Sequence, residues 1–167
     1  MKSVKSPLSV LFVCLGNICR SPTAEAVFRQ IIVNRMNEGS MLRDMIIDSA
    51  GTGAWHIGSQ PDSRAIAAGR TRGYDLSSLR ARQVSNQDFS QFDFILAMDN
   101  DNLRNLRNLS SLNNFRGHLG LFLDFSPSSE TEVPDPYYGG SEGFDHVLDL
   151  IESASHGFID YLIKTCD

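Results

Sequence analysis

Apolar residues fall into two rhythms along this chain, short unbroken runs and longer stretches spaced by three and four. The run Leu8-Ser9-Val10-Leu11-Phe12-Val13 is brief, β-branched and aromatic, and too continuous for a half-solvated strand. It predicts a buried central strand that delivers Cys14 at its carboxyl end. Behind it, Ala24, Val27, Phe28, Ile31 and Ile32 recur at helical spacing. Ser21 reads as the N-cap of that helix and Pro22 as its first position, with the end near Asn37 and Gly39. Met45-Ile46-Ile47-Asp48 predicts a second strand and Ser49-Ala50-Gly51-Thr52-Gly53 the loop after it.

The same two rhythms continue. Residues 61–72, with Ala65, Ile66 and Ala68 and a closing Gly73, predict a second helix, and Ser85-Asn86-Gln87-Asp88 starts a short one. Phe94-Ile95-Leu96-Ala97-Met98 predicts a third strand, and Asp99 caps a helix carrying Leu103, Leu106 and Leu109. Residues 119–123 give a fourth strand and 126–133 a polar loop. From Ser141 onward Phe144, Val147, Leu148, Ile151, Ala154, Phe158 and Leu162 trace one face of a long last helix. Strand-helix alternation implies an α/β fold: one three-layer domain over residues 1–167, with a four-stranded parallel sheet, right-handed crossovers and helices on both faces. Its site belongs at the carboxyl ends of the strands.

Composition narrows the picture. A chain of 167 residues with 41% hydrophobic content suits a single domain with a sizeable core. The formal charge of −5 argues against a nucleic-acid partner, which needs a basic footprint. Arg70, Arg72, Arg80 and Arg82 read as a solvated edge, with contact to acidic residues around a substrate as the alternative. Lys2 and Lys5 precede an apolar run too short for a secretory segment, and no stretch suggests membrane insertion. Cysteines at 14, 19 and 166 are too few for a disulfide framework, which makes the cytoplasm the expected compartment. Histidines at 56, 118, 146 and 156 are scattered, so neither a metal nor any other cofactor is expected.

The chemistry concentrates in Cys14-Leu15-Gly16-Asn17-Ile18-Cys19-Arg20-Ser21. A loop pinned between a strand end and a helix start aims backbone N–H groups inward and suits a dianion such as phosphate. Gly16 and Asn17 are residue types that tolerate left-handed backbone. Inward N–H groups and the Arg20 guanidinium favour a thiolate at Cys14, and the planar fork of Arg20 matches two phosphate oxygens. Ser21 can donate to the Cys14 sulfur, cap the helix, or do both. A free cysteine at a strand end is by itself commonly a small hydrophobe; the neighbours at these spacings make it a nucleophile. Cys19 in the same loop can trap an oxidised Cys14 as a reversible disulfide, or serve packing alone.

A nucleophile that accepts a phosphoryl group needs an acid for the departing oxygen. Val133-Pro134-Asp135-Pro136-Tyr137-Tyr138-Gly139-Gly140 offers Asp135 between two prolines, with two aromatic plates beyond. Read alone, it is an ordinary turn before the last helix.

These segments resemble the low-molecular-weight protein tyrosine phosphatase family. The likeness covers Cys14 to Glu25, Asp48-Ser49-Ala50-Gly51-Thr52, Ala81-Arg82-Gln83, Met98-Asp99 and Asp135-Pro136-Tyr137-Tyr138, in that order along nearly the whole chain. The resemblance implies that Cys14 is nucleophile, Arg20 holds phosphate and stabilises the transition state, and Asp135 is general acid, then base. It implies that Leu15, Gly16, Asn17, Ile18, Cys19 and Ser21 form the substrate loop, with Trp55, Tyr137 and Tyr138 walling a phenyl ring. Tyrosine-phosphorylated proteins or peptides, and small aryl phosphates, are the implied substrates. Asn17, Ser21 and Ser49 are implied to support the loop, usually with a histidine where this chain has Leu79. An arsenate reductase on the same scaffold needs further cysteines, and Cys166 is poorly placed for that. A protein-arginine phosphatase is marked by threonine where Ile18 stands. An idle phosphopeptide-binding module is the remaining alternative, and the joint presence of Cys14, Arg20 and Asp135 speaks against it.

Overall fold

The computed structural model describes residues 7–166. Lys2 and Lys5, read above as the flank of an apolar run, lie outside the described residues. Four strands, β1 (Ser9–Cys14), β2 (Ile46–Gly51), β3 (Phe94–Ala97) and β4 (His118–Leu121), form one sheet in the order β2-β1-β3-β4. All pairings are parallel, with Cys14 opposite Gly51 and Val13 opposite Ala97. The chain leaves β1 for β2 on one side and later returns to place β3 on the other. Strand order therefore reverses at β1, and a crevice opens at its carboxyl end, the usual ligand position in such sheets.

Alternate side chains of β1 face two cores. Val10, Phe12 and Cys14 pack with α1 (Arg20–Arg35), α2 (Ser63–Thr71) and α5 (Ser141–Cys166). Leu11 and Val13 pack with α3 (Asp88–Gln91) and α4 (Asn100–Leu112). All six β1 residues are buried, which is why the run lacks the polar alternation of a one-sided strand. The larger core is knit by rings, Phe12 lying 5.6 Å from Phe28 and 4.8 Å from Phe122 between centroids.

Three local readings are corrected. The second strand runs through Ser49, Ala50 and Gly51, which were expected in a loop; pairing with Phe12, Val13 and Cys14 overrides their weak strand preference. The fourth strand stops at Leu121, and residues 122–125 form a single 3-10 turn. Most consequential, α1 begins at Arg20 with Cys19 at its N-cap and no side-chain cap bond, so Ser21 is not the cap and Pro22 is not the first helical residue. The Ser21 hydroxyl is engaged elsewhere, as described below. Asp99 does cap α4, accepting from the Asn102 N–H at 2.8 Å.

Candidate active site

The loop between β1 and α1 closes around the Cys14 sulfur. The Asn17 N–H donates to Sγ at 3.3 Å, and the Ser21 hydroxyl lies 3.0 Å from it. Asn17 has φ of 57°, the left-handed backbone its residue type was expected to tolerate, and it is almost wholly buried. Its side chain holds that conformation from three directions. Nδ2 donates to Ser21 Oγ at 2.8 Å and Ser49 Oγ at 3.0 Å, while Oδ1 accepts from the Arg82 N–H at 3.0 Å. Ser49 passes the chain on, donating to Glu25 Oε1 at 2.8 Å. The other Glu25 oxygen accepts from Arg29 at 2.8 Å, and Arg29 also donates to the Ile47 carbonyl.

Leu79 packs against the core and contributes no hydrogen bond from its side chain. Glu25 and the backbone of residues 81–84 close the network. That segment lies along β2, with Gly51 N–H donating to Arg82 O at 2.9 Å and Val84 N–H to Gly51 O at 2.8 Å. Gly51 also admits the close approach of the anion loop: a Cβ there would stand 2.7 Å from the Leu15 carbonyl oxygen. Arg82 is therefore not the solvated edge expected; its guanidinium pairs with Asp48 and Asp88, each at 3.0 Å. Arg72 likewise pairs within the chain, with Asp149 and Glu152.

Arg20, the first residue of α1, is only 3% exposed. Its guanidinium donates to Asp99 Oδ2 at 2.6 Å and to the Val133 carbonyl at 3.0 Å, and stands 3.7 Å from Asp135 Oδ2. Burial works against its charge, but Cys14 and Asp99 outweigh burial and hold its pKa above the ordinary arginine value. Asp99 thus serves two ends at once, one oxygen capping α4 and the other fixing the arginine.

Asp135 arrives from the opposite side. Val133 N–H donates to Met98 O at 2.8 Å, anchoring the segment to the end of β3. Pro134 and Asp135 then turn out to the surface while Pro136 is buried, and Asp135 accepts from the Tyr137 N–H at 3.0 Å. Between loop and acid lies a cavity of about 430 Å³ lined by Cys14, Leu15, Gly16, Ile18, Cys19, Arg20, Trp55, His56, Asp135, Tyr137 and Tyr138. Trp55 and Tyr138 stand out at its mouth, 74% and 91% exposed.

All residues expected at the substrate face meet in this cavity except Asn17 and Ser21, which lie behind it with Ser49. His56, Glu25 and the pairing of Asp99 with Arg20 were missed. His56 sits against the loop, its ring 3.0 Å from where a Gly16 Cβ would be. The adjacency of His56 to Trp55 was the available signal. Among the described residues no group of three or more His, Cys, Asp or Glu side chains is placed to hold a metal ion, and no helix is long and apolar enough to cross a membrane.

Comparison with known proteins adds an independent line. The model of the low molecular weight phosphotyrosine protein phosphatase family matches residues 9–166. A low molecular weight phosphotyrosine protein phosphatase of Schizosaccharomyces pombe is 46% identical over 147 residues, covering 87% of this chain and 91% of the relative. The crystal structure of a protein tyrosine phosphatase from Entamoeba histolytica superposes with a TM-score of 0.83 at 43% identity, covering 94% of this chain and 97% of that one. That of a Drosophila arginine phosphatase gives 0.84 at 34% identity, covering 95% and 99%.

Proposed function

This chain belongs to the low molecular weight phosphotyrosine protein phosphatase family, phosphoric monoester hydrolases, and from that premise we propose how its own residues divide the reaction. Cys14 Sγ attacks phosphorus in line, forming the S–P bond as the P–O bond to the phenol breaks. Asp135 gives its proton to the departing oxygen. Water then attacks the cysteinyl phosphate, Asp135 takes a proton from it, the S–P bond breaks, and inorganic phosphate leaves. The Arg20 fork and the loop N–H groups meet the charge on the equatorial oxygens in both steps. Ser21, facing Sγ, steadies the sulfur as nucleophile and as leaving group.

The observation that carries this reading is the position of Arg20, which touches the carboxylate of Asp99, the carbonyl before the acid loop, and Asp135, while closing the loop that begins at Cys14. One side chain ties anion loop and acid together. Ile18, half-buried on the core, and the tall walls of Trp55, Tyr137 and Tyr138 favour a phosphorylated phenyl ring, hence tyrosine-phosphorylated proteins or peptides and small aryl phosphates. The reaction requires a free thiol, which suits the reducing cytoplasm, and a single domain spanning the matched residues carries it.

The test is hydrolysis of an aryl phosphate without added metal by wild type, Cys14→Ser and Asp135→Asn, followed by phosphotyrosine, phosphoserine and phosphoarginine peptides and arsenate. Turnover of phosphotyrosine that disappears in Cys14→Ser and drops strongly in Asp135→Asn supports the assignment. Preference for phosphoarginine overturns the substrate, reduction of arsenate the reaction, and activity surviving in Cys14→Ser the nucleophile.

A further inference from the structure

Resting on the reading of Asp135 as general acid, we infer that Arg64 is a positioning residue that sets the acid loop against the anion loop. Arg64 is the second residue of α2, and its fork is fixed before it reaches anything else. Nε bonds Asp62 Oδ1 at 3.0 Å and one terminal nitrogen bonds Asp62 Oδ2 at 2.9 Å. A two-point pair of this kind sets the plane of a guanidinium as well as its position. From that plane the two terminal nitrogens donate to the Tyr137 carbonyl at 2.9 Å and the Gly139 carbonyl at 3.4 Å. The guanidinium also lies over two rings, 5.5 Å from the centroid of Tyr137 and 4.9 Å from that of Phe144.

The other end of the strap is equally specific. The N–H of Asp62 donates to the Ile18 carbonyl, in the anion loop, at 2.8 Å. A single turn at the head of α2 therefore grips the loop carrying the nucleophile through its backbone and the loop carrying the acid through Arg64. Asp62 joins both grips, being the N-cap of α2 and the carboxylate that aims Arg64. Arg64 itself does not line the cavity. It acts through Asp135, holding the turn two residues beyond it.

The consequence is selective. A positioned acid matters for a poor leaving group such as phenolate and hardly at all for dinitrophenolate, which departs unprotonated. Loss of the strap lets Asp135 drift from the departing oxygen, and misplacement by about 1 Å costs on the order of 10²-fold where the group is needed. Cys14 and Arg20 keep their own contacts.

Arg64→Met keeps an apolar stem over Phe144 and removes the fork; Arg64→Lys keeps the charge alone. For each, kcat/KM is measured on phenyl phosphate and on 2,4-dinitrophenyl phosphate beside wild type and Asp135→Asn, since kcat/KM reports the first, proton-donating half of the reaction. The expected result for Arg64→Met is a loss of about 10- to 100-fold on phenyl phosphate and less than about twofold on the dinitrophenyl ester, with Arg64→Lys close to it. The ratio of the two substrates is independent of the folded fraction, so poor folding does not imitate it. In the Asp135→Asn background Arg64→Met adds no further loss on phenyl phosphate. If Asp135→Asn is selective but Arg64→Met affects both substrates equally, or neither, the inference is overturned while the acid assignment stands. If Asp135→Asn itself affects both equally, the acid assignment falls and the inference with it.

Discussion

The two loops that meet over the cavity are built on opposite principles. The anion loop keeps its polar side chains inside the molecule: Asn17, Arg20 and Ser21 are buried, each with more than one hydrogen-bond partner, while Leu15 stands out toward the cavity. Residues 134–140 stand mostly in solvent, with Pro136 buried and Asp135 Oδ1 bonded to the nearby Tyr137 N–H. The difference follows from what the proposed reaction asks of each. Donors that stabilise an anionic transition state have to be aligned beforehand, and a buried network keeps them aligned. An acid that gives a proton, recovers one and lets phosphate leave needs a way to water, and exposed loops provide it.

Substitutions break the comparison in order of size. Cys14→Ser removes the nucleophile, and turnover falls to background, a loss on the order of 10⁶-fold by analogy with other nucleophile deletions. The folded protein still protects itself with inorganic phosphate in a thermal melt, because the loop is unchanged. Arg20→Lys follows, with an expected kcat/KM loss of about 10³-fold, since a point charge cannot bond Asp99, the Val133 carbonyl and phosphate at once. Its loss is equal on good and poor leaving groups, which separates it from Asp135→Asn in the same assay. A leaving-group-dependent loss in Arg20→Lys shows instead that the arginine acts mainly through the acid.

Stability draws the contrast most sharply. Asp135→Asn changes an exposed side chain, and its melting free energy stays within about 0.5 kcal/mol of wild type. Asn17→Ala leaves Ser49 Oγ and the Arg82 N–H each short of a buried partner and places a Cβ residue at φ of 57° with no compensating bonds. It costs about 2–4 kcal/mol, measured by urea unfolding. Asn17→Gly relieves the backbone and not the bonds but adds freedom to the unfolded chain, so the gap between the two variants measures the strain less glycine's entropic cost of about 0.5–1 kcal/mol. Equal costs would mean that the strain no more than matches that entropic cost.

The same division explains what could be read from the chain. The anion loop is contiguous, so Cys14, Gly16, Asn17 and Arg20 announce themselves by spacing within a single stretch. The supports beneath it do not. Asn17 and Ser49 are 32 residues apart, Arg20 and Asp99 are 79, and only folding brings them together. Glu25 lay in full view of the helical pattern and looked like one more polar position of α1, yet its carboxylate is buried under Ser49. Ser21 followed by Pro22 is a sound local signal for a helix start; it failed because the Cys14 sulfur and the Asn17 amide compete for that hydroxyl. Strand and helix alternation survived such errors because each apolar run needs a face to bury whatever its exact ends.

Cys19 lies where the two loops face each other, and it gives the smallest and most local test. Its side chain is in the buried loop, but Asp62 and Asp135 look toward it from the other side. Burial first, then the repulsion of Asp62, Cys14 and Asp135, pushes its pKa from 9.0 up to about 12. Well below pH 9.0 the thiol is protonated in folded and unfolded chains alike, and its contribution to stability is fully present. As pH rises toward about 12 the unfolded chain releases the proton while the folded one keeps it, so folding takes up a proton and stability declines. The slope approaches about 1.4 kcal/mol per pH unit and is reduced by screening at the open cavity. Tyr74, raised from 10.0 to about 12 by burial and by Glu152, adds its own decline only from the higher starting point. Across pH 8.5 to 10 the cysteine is the larger of the two, and the difference between wild type and Cys19→Ala in urea unfolding reads it alone: the wild-type profile falls about 1 kcal/mol more than that of the variant, whatever their baseline stabilities. Identical slopes in the two proteins would place the Cys19 thiol in water-like surroundings and remove the electrostatic meeting of the loops at this residue.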